Sequence, residues 1–135
     1  RLGDESRQLS VFAAYACETM KSSDGKIWTR LGPMFRGGLR YATGSHDTVY
    51  DSPSTDEVGE DFADNLQIGY TIKHAWKSGN SDWMTNQDLS VVATGSSSSN
   101  CTFRRDYMKW SDYYTYPQLR DGAASWMCWY YWNNL

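Results

Sequence analysis

The sequence predicts an α/β fold with a mostly parallel central sheet, and three observations point there. Leu9 to Ala16 is an almost unbroken apolar run of strand length, the pattern of a strand covered on both faces. Leu39 to Ser45 and Leu89 to Thr94 form two further strand-length segments. Between them Val58, Phe62 and Leu66 recur every fourth residue and mark one face of a helix. Strands alternating with helical segments favour a sheet flanked by helices.

Each element has its own local reason. The turn-rich stretch from Lys21 to Gly25 follows the first strand. Ile27 to Phe35 is mixed in character, with Gly32-Pro33 predicted as a breaker. After the second strand, His46 to Asp56 is a polar loop containing Pro53, and Ser54 or Thr55 is the candidate cap of the next helix. Asp56, Glu57 and Glu60 then fall in its first turns, where the helix dipole favours negative charge. Gly69 interrupts the pattern, and Thr71 is placed to cap a second helix from Ile72 to Lys77 that ends near Gly79. Gly95 to Asn100 is Ser-rich and predicts an exposed loop. No element is assigned from Cys101 onward.

The chain has 135 residues, enough for one domain with a real core, and 40% hydrophobic residues support folding. A net charge of −3 argues against nucleic acid, which needs a basic surface. No apolar run approaches the roughly 18–20 residues of a membrane span. The chain begins at Arg1, so a processed amino terminus with residues upstream is expected. Seven Trp and ten Tyr are present, many of them in the last third from Tyr107 through Trp132. Two readings stay open: rings that fill a core and cover a neighbouring surface, or a platform for a partner or a carbohydrate. Three cysteines are an odd count; with Cys17 free, Cys101 and Cys128 remain as a candidate disulfide, which would imply an oxidising compartment. Asn100-Cys101-Thr102 matches the glycosylation pattern, so Asn100 is a candidate acceptor. Both features point outside the cell.

Chemistry concentrates where the first apolar run ends in Cys17-Glu18, because open α/β sheets build sites outside the carboxyl ends of their strands. Tyr15-Ala16-Cys17-Glu18-Thr19 resembles the Ser-Ala-Cys-Glu-Thr block of the CHAT branch of caspase-like cysteine peptidases. The stretch Gly37-Gly38-Leu39-Arg40-Tyr41-Ala42-Thr43-Gly44-Ser45 stands where that family has its following strand. Phe62 to Trp76 is similar to its helix, glycine and second helix, so the resemblance covers about residues 9–94. The family's histidine lies in an earlier His-Gly pair, and nothing upstream of Cys17 contains histidine. The resemblance therefore implies the carboxyl-terminal half of a caspase-like three-layer sandwich over residues 1–135, with an aromatic-rich tail from about 101–135. It implies a cysteine endopeptidase subunit in which Cys17 is the nucleophile, needing no cofactor. The base would come from an amino-terminal companion chain or segment, and a peptide would lie near Ser45 and Asp47. The alternative is an inactive binding or assembly module that uses the aromatic tail.

Other assignments are open at these residues. Cys17 reads either as a nucleophile, which needs a base or positive surroundings because the thiolate reacts, or as a small buried hydrophobe. His46 follows the second strand and is a candidate alternative base, or a solvated loop residue. Asp47 is placed to receive a basic substrate side chain, or to form a turn beside Ser45. His74, on a helix beside Trp76, reads as a packing or surface residue. Glu18 opposes a thiolate if it faces one, and otherwise caps the next turn. The acidic run from Asp56 to Asp64 has no EF-hand spacing and the cysteines no zinc spacing, so no metal is expected.

Overall fold

A computed structural model describes residues 9–21, 23–36, 38–49, 55–81, 87–115, 125–133 and 135. Ser54 and Pro53 of the second loop, Gly37 and Tyr116 lie outside the described residues. In chain order the elements are β1 (Val11–Ala13), α1 (Ile27–Arg36), β2 (Tyr41–Ser45), α2 (Val58–Gln67), α3 (Ile72–Ser81), β3 (Leu89–Gly95), α4 (Ser98–Tyr107), α5 (Trp110–Thr115) and β4 (Trp126–Tyr131). The result is a mixed α/β fold whose described residues hold a four-stranded sheet of order β1-β2-β3-β4 and five helices.

The sheet is mixed, which corrects the expectation of mostly parallel pairing. β1 and β2 are parallel, with Val11 opposite Tyr41 and Ala13 opposite Thr43. β2 and β3 are antiparallel, with Ser45 opposite Leu89, and β3 and β4 are antiparallel, with Gly95 opposite Trp126. The reason is the number of helices per connection. One helix carries the chain back along the sheet and yields a parallel neighbour, as α1 does between β1 and β2. In each of the next two connections the described residues hold two helices, which carry the chain out and back, so β3 begins beside the end of β2, and β4 begins beside the end of β3.

Side chains of the inner strands alternate between two cores. Tyr41, Leu89, Val91 and Ala93 join Phe62, Ile72, Ala75, Trp76 and Tyr113 on one face. Ala42 and Val92 join Met20, Ile27, Leu31, Phe35 and Leu39 on the other. Helices thus cover both faces, and every residue of β2 and β3 is buried. That explains why these strands show little polar alternation in the sequence. Each large side chain buried this way contributes about 1.5–3 kcal/mol.

Several boundaries differ from expectation for identifiable reasons. α1 runs through Gly32 and Pro33 rather than breaking there. Ile27, Leu31, Met34 and Phe35 share one apolar stripe that packs on the sheet, while Pro33 and Thr29 are exposed, so the lost i→i−4 bond falls on the wet side. The Ser-rich segment is a helix start, not a loop: the Asn100 N–H donates to Ser97 Oγ at 3.2 Å, capping α4. Thr71 Oγ1 likewise accepts the His74 N–H at 3.2 Å at the start of α3. The start of α2 carries no side-chain cap bond at Glu57, and Thr55 is buried. α3 reaches Ser81 because Gly79 lets α2 approach: a Cβ there would lie 2.9 Å from the Phe62 nitrogen. The tail supplies α5 and β4, with Tyr113 in the core and Trp126, Trp129, Tyr130 and Tyr131 exposed on the outermost strand. Cys101 of α4 and Cys128 of β4 form a disulfide.

Candidate functional site

The turn after β1 is built against the carboxyl end of β2. Ala14 still pairs with β2 through its N–H to the Thr43 carbonyl at 3.0 Å, and then the chain bends. The Glu18 N–H donates to the Asp47 carbonyl at 2.9 Å and the Met20 N–H to the Ser45 carbonyl at 2.8 Å. Thr19 Oγ1 accepts the Ser45 N–H at 3.2 Å and donates to the Ala16 carbonyl at 3.1 Å. Glu18 takes a left-handed φ of 54°, which the surrounding bonds must hold because L residues disfavour it. Met20, fully buried, anchors the turn in the α1-side core. Gly44 makes this approach feasible: a Cβ there would lie 2.4 Å from Thr19 Oγ1 and 2.7 Å from Met20 Cγ.

This turn presents Cys17 as an exposed free thiol. Its Sγ accepts the Val49 N–H at 3.3 Å and lies 3.5 Å from the Val49 carbonyl oxygen. Glu18 turns its carboxylate to the Lys21 ammonium at 2.5 Å, which raises the lysine pKa.

Other sequence-predicted residues sit at the same end of the sheet with different roles. Ser45 is buried, its hydroxyl 2.9 Å from the Asp47 carbonyl oxygen and 2.5 Å from that of Asp88. Asp47 is exposed, and its carboxylate accepts the Thr48 N–H at 2.8 Å. His46 is half-buried and faces away from β1. Its Nε2 lies 3.1 Å from the Trp132 carbonyl oxygen, and its ring meets Tyr131 edge-on at 4.9 Å, both across β3. His74 meets the Tyr70 ring at a tilt of 59°, with ring centroids 4.6 Å apart. The chain's two histidines are therefore held elsewhere, and neither is brought to the sulfur. Asn100 lies in the first turn of α4, with Oδ1 accepting the Ser96 N–H at 3.1 Å. Among the described residues no group of His, Cys, Asp and Glu is arranged to hold a metal ion. None of their helices is long and apolar enough to cross a membrane.

A second cluster of polar and aromatic side chains lies apart from the Cys17 turn. A pocket of about 340 Å³ opens between α3, α4 and β4, lined by Thr71, Lys73, His74, Lys77, Asp106, Tyr130 and Trp132. Lys73 Nζ pairs with Asp106 at 2.8 Å and stands 3.7 Å above the Tyr130 ring. Arg105 pairs with the same carboxylate at 2.7 Å. Chiefly the Arg105 hydrogen bond, then Lys73, holds the Asp106 carboxyl below its usual range. The signal was present, since Lys73 and Lys77 stand one helical turn apart beside His74. Their partners came from residues whose elements the sequence did not reveal.

Comparison with known proteins gives no match among curated proteins and none among solved structures. It also overturns the caspase-like resemblance: the matching family is a different one, and no caspase-like or CHAT family is matched. The short blocks around Cys17 and Gly44 reflect a strand, a tight turn and a close-packed glycine, features that any sheet with a turn folded over a strand end can share. The family model that does match spans residues 1–134, so the chain belongs to the family described as a domain of unknown function, DUF6345.

Proposed function

We propose that Cys17 is a nucleophile for acyl transfer, acting on peptide bonds with an imidazole supplied from outside this chain. The observation that carries this reading is the exposed Cys17 sulfur at the carboxyl end of a parallel strand pair, with the Val49 N–H aimed at it. The Thr19, Met20 and Gly44 contacts fix that sulfur on a turn tied to the sheet. In the reaction the imidazole takes the thiol proton and sulfur bonds to the peptide carbonyl carbon. The C–N bond then breaks, the amine leaves with that proton, and water hydrolyses the thioester to restore the thiol. Exposed Asp47 lies along the same rim and suits a basic substrate side chain. Hydrolysis of a peptide aryl ester with added imidazole tests the proposal. Turnover that rises with imidazole and disappears in Cys17→Ser supports it. Equal rates in the two proteins remove it.

A second reading rests on a separate observation. Trp126, Trp129 and Tyr131 stand exposed on the outermost strand β4. Large rings on an open strand suit a contact surface, and a binding or assembly module is the alternative function. Trp129→Ala would then weaken association while leaving thiol chemistry at Cys17 intact.

A further inference from the structure

We infer that the pocket between α3, α4 and β4 binds an acidic saccharide, such as a uronate-containing oligosaccharide. It lies on the helix-covered face where α3 meets the tail, apart from the Cys17 turn. Two kinds of group converge there. Lys73, Lys77 and the exposed His74 supply donors along one side of α3, while Tyr130 and Trp132 supply ring surface from the end of β4. Of the charged groups lining it, two are lysines and one is the carboxylate of Asp106. Arg105, half-buried, already pairs with that carboxylate, leaving the cluster with an excess of positive charge. An anion therefore fits better than a cation or a neutral molecule.

The rings narrow the class further. The Tyr130 ring carries the Lys73 ammonium on its face and packs edge-on against Trp132 at 5.0 Å, so the half-buried Trp132 indole is the wall left for a ligand. A sugar ring offers a carbon-hydrogen face for such a wall and hydroxyls for its polar tip. A carboxylate on the same sugar reaches the lysines as a charge-assisted pair. The Lys73–Asp106 pair and the Lys73–Tyr130 contact hold one ammonium in place before any ligand arrives. The volume of about 340 Å³ accommodates one or two sugar units.

Titration calorimetry of the intact chain with tetragalacturonate and with cellotetraose, a neutral chain of equal length, tests this inference. The acidic saccharide should bind at least ~10-fold more tightly than the neutral one, with affinity falling as salt rises. Lys77→Gln should weaken it by ~10-fold, and Lys77→Arg should restore most of the loss. Trp132→Ala should weaken it independently of salt. Cys17→Ser should bind as tightly as the unmodified chain, which separates this site from the proposed nucleophile. Absence of binding, equal affinity for the two saccharides, or tight binding that survives Lys77→Gln with a native circular dichroism spectrum would overturn the assignment.

Discussion

The Val49 N–H points at Cys17 Sγ from 3.3 Å, joining two segments 32 residues apart at the rim of the sheet. That contact ties the thiol to the strand-end segment that also carries Asp47. Replacing Val49 by proline removes the donor while keeping a carbon side chain of similar size. Alkylation of Cys17 by iodoacetamide should slow by several-fold in Val49→Pro, followed by intact mass against time. An unchanged rate would show that the N–H does not influence the sulfur.

Gly44 sets how closely the Cys17 turn can lie on β2. In Gly44→Ala the new methyl would meet Thr19 Oγ1 and Met20 Cγ, and the turn must shift. Overpacking of this kind costs about 1–3 kcal/mol. Chemical denaturation should show that loss, and Cys17 labelling should change with it. Gly59→Ala, where nothing lies within 4 Å, is the control and should be neutral or slightly stabilising on a helix.

The Cys101–Cys128 bond closes a loop of sequence separation 27 and fastens α4 to β4. Reduction should lower stability by about 3 kcal/mol through the freedom returned to the unfolded chain. The measurement is denaturant unfolding with and without reductant, using Cys17→Ser so that no third thiol complicates exchange. A midpoint that does not move would mean β4 is held by its ladder and core contacts alone.

The Asp106 carboxyl is held below its ordinary value of 3.8 by Arg105 and Lys73. Its unfolded form therefore binds protons more readily than its folded form. The stabilisation is present above about pH 4 and is lost as pH falls through the lower folded value. Because the pair is partly exposed, with 23% of the aspartate side chain accessible, the effect should be about 0.5–1 kcal/mol. Asp106→Asn should be less stable than the unmodified chain at pH 7, and the difference should shrink below pH 4. Denaturation midpoints across that range check the sign.

Much of the fold was legible in the sequence where burial is simple. Leu89 to Thr94 reads as a strand because both its faces are covered, and Val58, Phe62 and Leu66 read as a helix because only one face is. The helix pair between β2 and β3 was legible, and the antiparallel direction of β3 follows from it rather than from the apolar runs; β4 and its direction were not legible. α4 and α5 were hidden by serines and scattered rings. β4, Trp-Met-Cys-Trp-Tyr-Tyr, lacks polar alternation because its outer aromatics are exposed rather than replaced by polar residues. At the candidate site the Cys17 turn was visible as an apolar run ending in a thiol. The orientation of His46 was not, since its ring is drawn to Trp132 and Tyr131 by a strand with no readable pattern. The pocket was missed for the same reason: three of its seven lining residues, Asp106, Tyr130 and Trp132, come from that tail.

The most direct measurement is trapping of an acyl group on the protein from a peptide thioester, read by intact mass and located by fragmentation. One acyl group per chain is expected, attached at Cys17, forming faster with added imidazole and absent in Cys17→Ala. Acylation no faster than that of free cysteine, or spread over lysines with Cys17 unmodified, would contradict it.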